Sequence, residues 1–147
     1  METIEEYDRL RLRYYIRYAI SFIIWYGFFT YTFNFSIENN ILRIVIIFIE
    51  ILFAVLFSIY VVKYKLLFKK IKNNKEIYDA LNNEFYRHLA LKSIRIAFIV
   101  FLFSNGIFLT ILPFIEIPAI LVCQLLLFIV TSAGFISYYI YQKEEIS

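Results

Sequence analysis

An unbroken apolar run over residues 40–62 is the feature that most limits what this chain can fold into. After its first residue, the clearly polar side chains in the run are Arg43, Glu50 and Ser58. As an α-helix the run is about 33 Å long at ~1.5 Å per residue, close to the ~30 Å of bilayer hydrocarbon. The central carboxylate costs about 2.5–3.5 kcal/mol on insertion scales, and the surrounding Leu, Ile, Phe and Val side chains together return more than that. The run therefore predicts a transmembrane helix that carries one acidic residue.

Similar runs elsewhere extend this prediction to the whole chain. The 147 residues are 62% hydrophobic and include only 3 Gly and 2 Pro. This composition favours long helices over a β-barrel, whose short strands need many turns. The sequence predicts an all-α polytopic membrane protein, in which one domain of four transmembrane helices forms an antiparallel bundle. The expected spans are residues 18–34, 41–62, 93–112 and 118–141.

The distribution of basic residues predicts the orientation. Of the 15 Lys and Arg residues, all except Arg43 fall in the N-terminal segment, in the loop between spans two and three or in the first turn of span three (Arg95), or in the C-terminal tail. Loops rich in Lys and Arg stay in the cytoplasm. We therefore expect a multi-pass protein with both termini and the central loop on the cytoplasmic side.

The central loop, residues 63–92, is predicted to be a cytoplasmic helical hairpin extension. Apolar residues recur every four positions in it, which is typical of an amphipathic helix and suggests a face that binds a partner: Ile77, Leu81, Phe85 and Leu89. We expect one continuous helix over residues 74–112. Asn39 or Asn40 should cap span two, and Asn73 with Glu76 has the spacing of a capping box.

A basic cluster opens the same loop, immediately after span two. Its members are Lys63, Lys65, Lys69, Lys70 and Lys72. Such a cluster attracts anionic lipid at about 1 kcal/mol per charge. It also serves simply as a determinant of topology, and the sequence leaves both interpretations open.

Each predicted span carries one hydrogen-bonding side chain at a similar distance from its outer end. These residues are Tyr26, Glu50, Asn105 and Gln124, and their predicted depths differ by about one helical turn. One interpretation is an ion or proton site, or a pore constriction, centred on the acid. The other is a set of interhelical hydrogen bonds worth roughly 0.6–2 kcal/mol each.

Two further groups of residues belong to this prediction. Helical spacing places Arg43, Ala54 and Ser58 on the same face as Glu50. Small residues on the inner half of span four predict close helix packing: Thr131, Ala133, Gly134 and Ser137.

No motif in the chain indicates a reaction. Phosphate-binding loops, metalloprotease motifs and the nucleophile elbow of hydrolases do not occur in the sequence. We therefore predict no catalytic residue, no metal site, no cofactor and no nucleic-acid partner. The expected partners are the lipid bilayer, further copies of the chain, and a cytoplasmic protein.

Three functional hypotheses remain. The first is a non-catalytic membrane scaffold or accessory subunit whose cytoplasmic hairpin engages a partner or another copy. The second is a homo-oligomeric ion channel or membrane-permeabilising effector that uses Glu50. The third is a proton-coupled small-molecule transporter that uses the same residue.

Overall fold

Five α-helices make up the structure, a computed structural model that describes residues 4–81 and 84–144. No strand occurs in these two ranges, and the predicted all-α class is confirmed. The helices are α1 (Ile4–Asn34), α2 (Asn40–Asn73), α3 (Lys75–Leu81), α4 (Glu84–Ile111) and α5 (Ala119–Glu144).

Local side-chain chemistry sets the ends of α2. The Asn39 Oδ1 accepts hydrogen bonds from the backbone N–H groups of Ile41 at 3.0 Å and Leu42 at 3.2 Å, which confirms the predicted cap. At the other end, Lys70 and Lys72 lie in the last turn, where positive charge opposes the negative end of the helix dipole. With 34 residues, α2 is about 51 Å long and exceeds the hydrocarbon thickness of a bilayer.

The cap of α3 lies one residue later than predicted. The Asn74 Oδ1 accepts a hydrogen bond from the backbone N–H of Ile77 at 3.4 Å, whereas Asn73 is the last residue of α2. The predicted continuous helix over 74–112 includes residues 82 and 83, which lie outside the described residues. On either side of them the chain is helical, as α3 and α4.

The long helices pack in the order α2–α1–α5–α4. Helix α1 packs against both α2 and α5, and α4 packs against α5, while α2 and α4 have no extensive contact within the described ranges. Contacts at matching ends show that neighbours in this order run antiparallel: Thr32 meets Glu50, Asn34 meets Gln124, and Ser137 meets Ser93. The arrangement is therefore an open series of four helices with α1 and α5 at its centre.

Aromatic side chains explain why α1 occupies a central position. Tyr18 contacts Phe57 and Tyr64 of α2 on one side, and Phe135 of α5 on the other, with ring centroids 5.1–6.2 Å apart. Rings at these distances attract one another beyond the simple burial of their area. The many aromatic residues of α1 thus form its packing surface against two neighbours.

A small apolar core lies at the end of the molecule that holds the start of α1, the last turns of α2, and α3. We call this the basic end. Leu67 and Ile71 of α2 and Ile77 of α3 are buried there, and four partly buried side chains pack around them: Tyr7, Leu10, Tyr14 and Tyr78. The part of α2 beyond residue 62 is therefore packed against α1 and α3. The opposite end, which carries connections 35–39 and 112–118, is called the loop end.

Tyr15 joins α1 to α5 near the basic end. Its hydroxyl donates a hydrogen bond to the backbone carbonyl of Phe135 at 3.4 Å. Burial raises the pKa of the Tyr15 phenol well above its ordinary value, and the neighbouring phenols of Tyr18 and Tyr138 raise it further. The phenol is therefore neutral at physiological pH and keeps its hydrogen-bonding proton.

Three helical segments are long and apolar enough to cross a membrane by length and composition. They are Asn40–Asn73, Arg87–Ile111 and Ala119–Lys143. Almost none of their most apolar stretches is buried inside the protein, as expected for surfaces that face lipid. Helix α1 is not among the three, because Tyr, Trp and Thr residues interrupt its apolar sequence.

Candidate functional site

A cleft of about 550 Å³ lies between α1 and α2 at the loop end. We call it the Glu50 cleft. The last turns of α1, the first turns of α2 and the connection between them supply its lining: Phe29, Thr32, Phe33, Asn34, Phe35, Ser36, Ile37, Arg43, Ile47 and Glu50. The lining therefore combines one acidic side chain, one basic side chain and several aromatic rings.

A stagger between the two helices creates this space. Thr32 lies two residues before the end of α1, yet it pairs with Glu50, which lies ten residues after the start of α2. At ~1.5 Å per residue, α2 extends past the end of α1 by about 12 Å. The connection 35–39 joins the two helices across this offset, and its residues 35–37 line the cleft.

The side chain that partners the acid is Thr32. The Thr32 Oγ1 lies 2.9 Å from the Glu50 Oε2, and also 3.1 Å from the backbone carbonyl oxygens of Phe28 and Phe29. A hydroxyl has a single hydrogen to donate, so only one of these three oxygens receives it at a time. The carboxylate forms the shortest of the three contacts and has the largest negative charge, which makes it the strongest acceptor.

Among the described residues, Arg43 is the basic side chain that lines the cleft, and it is exposed near the start of α2. Arg43 and Glu50 are seven residues apart on one helix face, which separates them by about 10.5 Å along the axis. Within the described residues they form no ion pair with each other. The cleft therefore presents two opposite charges that do not pair with each other in the structure.

The remaining members of the predicted stripe lie below the cleft. Ala54 is half-buried, and the Ser58 hydroxyl is exposed and donates to the backbone carbonyl of Ala54 at 2.9 Å. This hydrogen bond lies within α2. Neither residue lines the cleft.

The predicted hydrogen-bonding residues at one depth occupy separate places in the structure. Gln124 does not meet Glu50; its Oε1 accepts a hydrogen bond from the Asn34 Nδ2 at 2.5 Å, while the same amide donates to the Thr30 carbonyl at 2.8 Å. This contact joins α1 to α5. The acid and the glutamine thus belong to two different interhelical contacts of α1.

Tyr26 and Asn105 have other surroundings. The Tyr26 ring is stacked between the rings of Phe22 and Phe128, with centroids 5.4 and 6.0 Å away. Asn105 is half-buried on α4, and no hydrogen bond of its side chain occurs within the described ranges. The four side chains therefore do not form a single cluster in this chain.

Small residues of α5 face α4. A Cβ atom added at Gly134 would lie 3.6 Å from the Cβ of Ala97, which is an ordinary contact. The Ser137 hydroxyl lies 3.2 Å from the Gly134 carbonyl and 3.5 Å from the Ser93 carbonyl of α4. Thr131 and Ala133, from the same predicted patch, are half-buried.

The apolar residues predicted for the central loop are placed only in part. Ile77 lies in the apolar core of the basic end, and Leu89 of α4 is fully buried at 0% exposure. The side chains of Leu81 and Phe85 lie outside the description. The five lysines of the basic cluster are exposed along the last turns of α2: Lys63, Lys65, Lys69, Lys70 and Lys72.

Sequence reasoning did not identify Thr32 and Asn34 as partners of the polar side chains. Both lie in the last turn of α1. A polar residue at such a position is ordinarily taken to mark the end of the membrane-spanning segment. The sequence offered one signal for this contact, a threonine within an apolar run. A buried acid on the neighbouring helix needs a hydrogen-bond donor, and Thr32 can supply it.

The comparisons with known proteins give no relative for this chain. No family model matches the sequence, and no curated protein or solved structure is significantly similar to it.

Proposed function

We propose that the protein is a non-catalytic integral membrane scaffold or accessory subunit, whose basic end engages a partner protein or another copy. The observation that carries the proposal is the packed core of the basic end. Leu67, Ile71 and Ile77 extend an ordered structure beyond the length of helix that a bilayer needs. A loop that only connected two spans would not require a buried core.

The proposal includes four membrane spans, with α1 as the first. Helix α1 lies between α2 and α5, both of which are apolar enough to cross a membrane. A helix packed along two spanning helices shares their environment, and the buried Thr30 and the rings of Tyr18 and Tyr26 then face protein rather than lipid. The positive-inside rule places the basic end in the cytoplasm.

The chemistry of the exposed lysines defines the surface that the basic end offers. Lys65, Lys69 and Lys72 are exposed on the continuous helix α2, where they attract an acidic protein surface or anionic lipid headgroups. An acidic partner would meet a preformed array of charges rather than a loop that it must first order. This arrangement suits a docking platform, whether or not lipid also contacts it.

Purification in mild detergent, followed by chemical crosslinking and mass determination, tests the scaffold proposal. We expect the wild-type chain to be recovered as an oligomer or with a stoichiometric partner. The triple substitution Lys65→Glu, Lys69→Glu and Lys72→Glu should abolish this association, and Lys143→Glu is the matched control at an exposed site of α5. A wild-type chain that is monomeric and alone would contradict the proposal.

The Glu50 cleft favours a second candidate function. A homo-oligomeric ion channel, a permeabilising effector or a proton-coupled transporter would use a half-buried carboxylate that lies in a cleft beside a membrane-spanning helix. Single-channel recording and a vesicle-flux assay test this candidate. Transport that falls in Glu50→Gln but persists in Glu116→Gln would support it, and a silent wild-type protein would exclude it.

A further inference from the structure

The Glu50 cleft contains an ordered sequence of chemical groups along one face of α2. Arg43, Ile47 and Glu50 follow one another at helical spacings of four and three residues, and all three line the cleft. The cleft thus offers a positive group at its rim, an apolar group next, and a negative group deepest. From the first to the last, this sequence spans about two helical turns.

Two aromatic rings line the part of the cleft near Glu50. Phe29 and Phe33 line the cleft on the α1 side, with ring centroids 5.8 Å apart. Thr32 lies between them in sequence and donates to Glu50, which leaves the other carboxylate oxygen available as an acceptor. An ammonium group is attracted both by a carboxylate and by aromatic rings, and the cleft contains both.

We propose that the Glu50 cleft binds a small, elongated zwitterion, with its ammonium group at Glu50 and its anionic group at Arg43. An apolar spacer in the ligand packs on Ile47, which lies between the two charged residues, and on the ring of Phe33. Each charge of the cleft then gains an opposite charge, which none of the described residues supplies. The proposal is independent of the scaffold function, which depends on the other end of the molecule.

The order of charges distinguishes this ligand from a membrane phospholipid. In phosphatidylethanolamine the ammonium lies outside the phosphate, nearer to water. In the cleft the order is reversed. Glu50, which would bind the ammonium, lies about 10.5 Å further from the start of α2 than Arg43, which would bind the anion. A zwitterionic headgroup in its normal orientation would therefore place each charge beside a like charge.

Binding of ω-amino acids to the full-length protein in phosphatidylcholine nanodiscs tests the proposal without any variant. The probe is 8-aminooctanoate, measured by calorimetry beside octylamine and octanoate, each of which carries one of its two charges. We expect 8-aminooctanoate to bind about tenfold or more tightly than either of the other two, because only it carries both charges. Equal affinity for 8-aminooctanoate and octylamine would overturn the proposal.

Substitutions then assign each end of the probe. Glu50→Gln should weaken the binding of 8-aminooctanoate and of octylamine by about tenfold or more. Arg43→Gln should weaken the binding of 8-aminooctanoate and of octanoate to a similar extent and leave octylamine unchanged. Glu116→Gln and Arg87→Gln are matched controls at exposed positions outside the cleft. The opposite assignment of ends would overturn the proposal, as would competition by phosphatidylethanolamine added to the nanodiscs.

Discussion

At the scale of single residues, the hydrogen bond between Thr32 and Glu50 is the contact most open to test. Thr32→Val removes the hydroxyl but keeps the shape of the side chain, so the half-buried carboxylate loses its donor. We expect a loss of about 1–3 kcal/mol in the free energy of unfolding. Denaturation followed through the fluorescence of Trp25 measures it, since this ring is stacked on Phe57 of α2 at 5.6 Å.

Thr110→Val is the control for that experiment. The Thr110 hydroxyl is exposed and donates to the backbone carbonyl of Gly106 within its own helix at 2.8 Å, so its loss should change stability by less than about 0.5 kcal/mol. In the Glu50→Gln background, Thr32→Val should cost less than it does in the wild type. An unchanged cost would show that the two side chains do not interact.

The same residues show what the sequence could predict and what it could not. The Asn39 cap depends on atoms two and three residues away, and local spacing was enough to predict it. The partner of Glu50 depends on the stagger of α1 against α2, which packing of aromatic rings determines and which no local pattern reveals. The depths predicted for the polar residues assumed that neighbouring helices end at the same height, whereas α2 extends about 12 Å past the end of α1.

At the scale of helices, the absence of a side chain at Gly134 allows α5 to pack closely against α4. A single added methyl group would make an ordinary contact with Ala97 at 3.6 Å, so Gly134→Ala should be tolerated. A leucine has no such room, and we expect Gly134→Leu to cost about 1–3 kcal/mol by overpacking the interface. Chemical denaturation in detergent, followed by circular dichroism, measures the loss.

Gly106 provides the matched control in α4. A Cβ atom there would meet nothing within 4 Å, so Gly106→Leu should not reduce stability within this chain. Equal losses for Gly106→Leu and Gly134→Leu would contradict the described packing of α4 on α5. A loss confined to Gly106→Leu would instead indicate that another copy of the chain covers that face.

At the scale of the whole molecule, the position of α1 decides whether the chain crosses the membrane three or four times. Its composition alone is ambiguous, because the aromatic and hydroxyl side chains that lower its hydropathy are also those that pack against α2 and α5. Three spans would leave both ends of α1 on one side of the membrane. Four spans would separate the two ends.

Accessibility of introduced cysteines distinguishes these arrangements. In a Cys123→Ser background, which removes the single native cysteine, Arg13→Cys and Ser36→Cys mark exposed positions just before and just after the expected span 18–34 of α1. We expect a membrane-impermeant maleimide to label the second from outside intact cells, and the first only after permeabilisation. Lys72→Cys is the internal control and should behave like Arg13→Cys, because both lie at the basic end.

Labelling of Arg13→Cys and Ser36→Cys from the same side would remove α1 from the membrane and leave three spans. Labelling of Lys72→Cys from outside would invert the orientation, since the basic cluster would then face away from the cytoplasm.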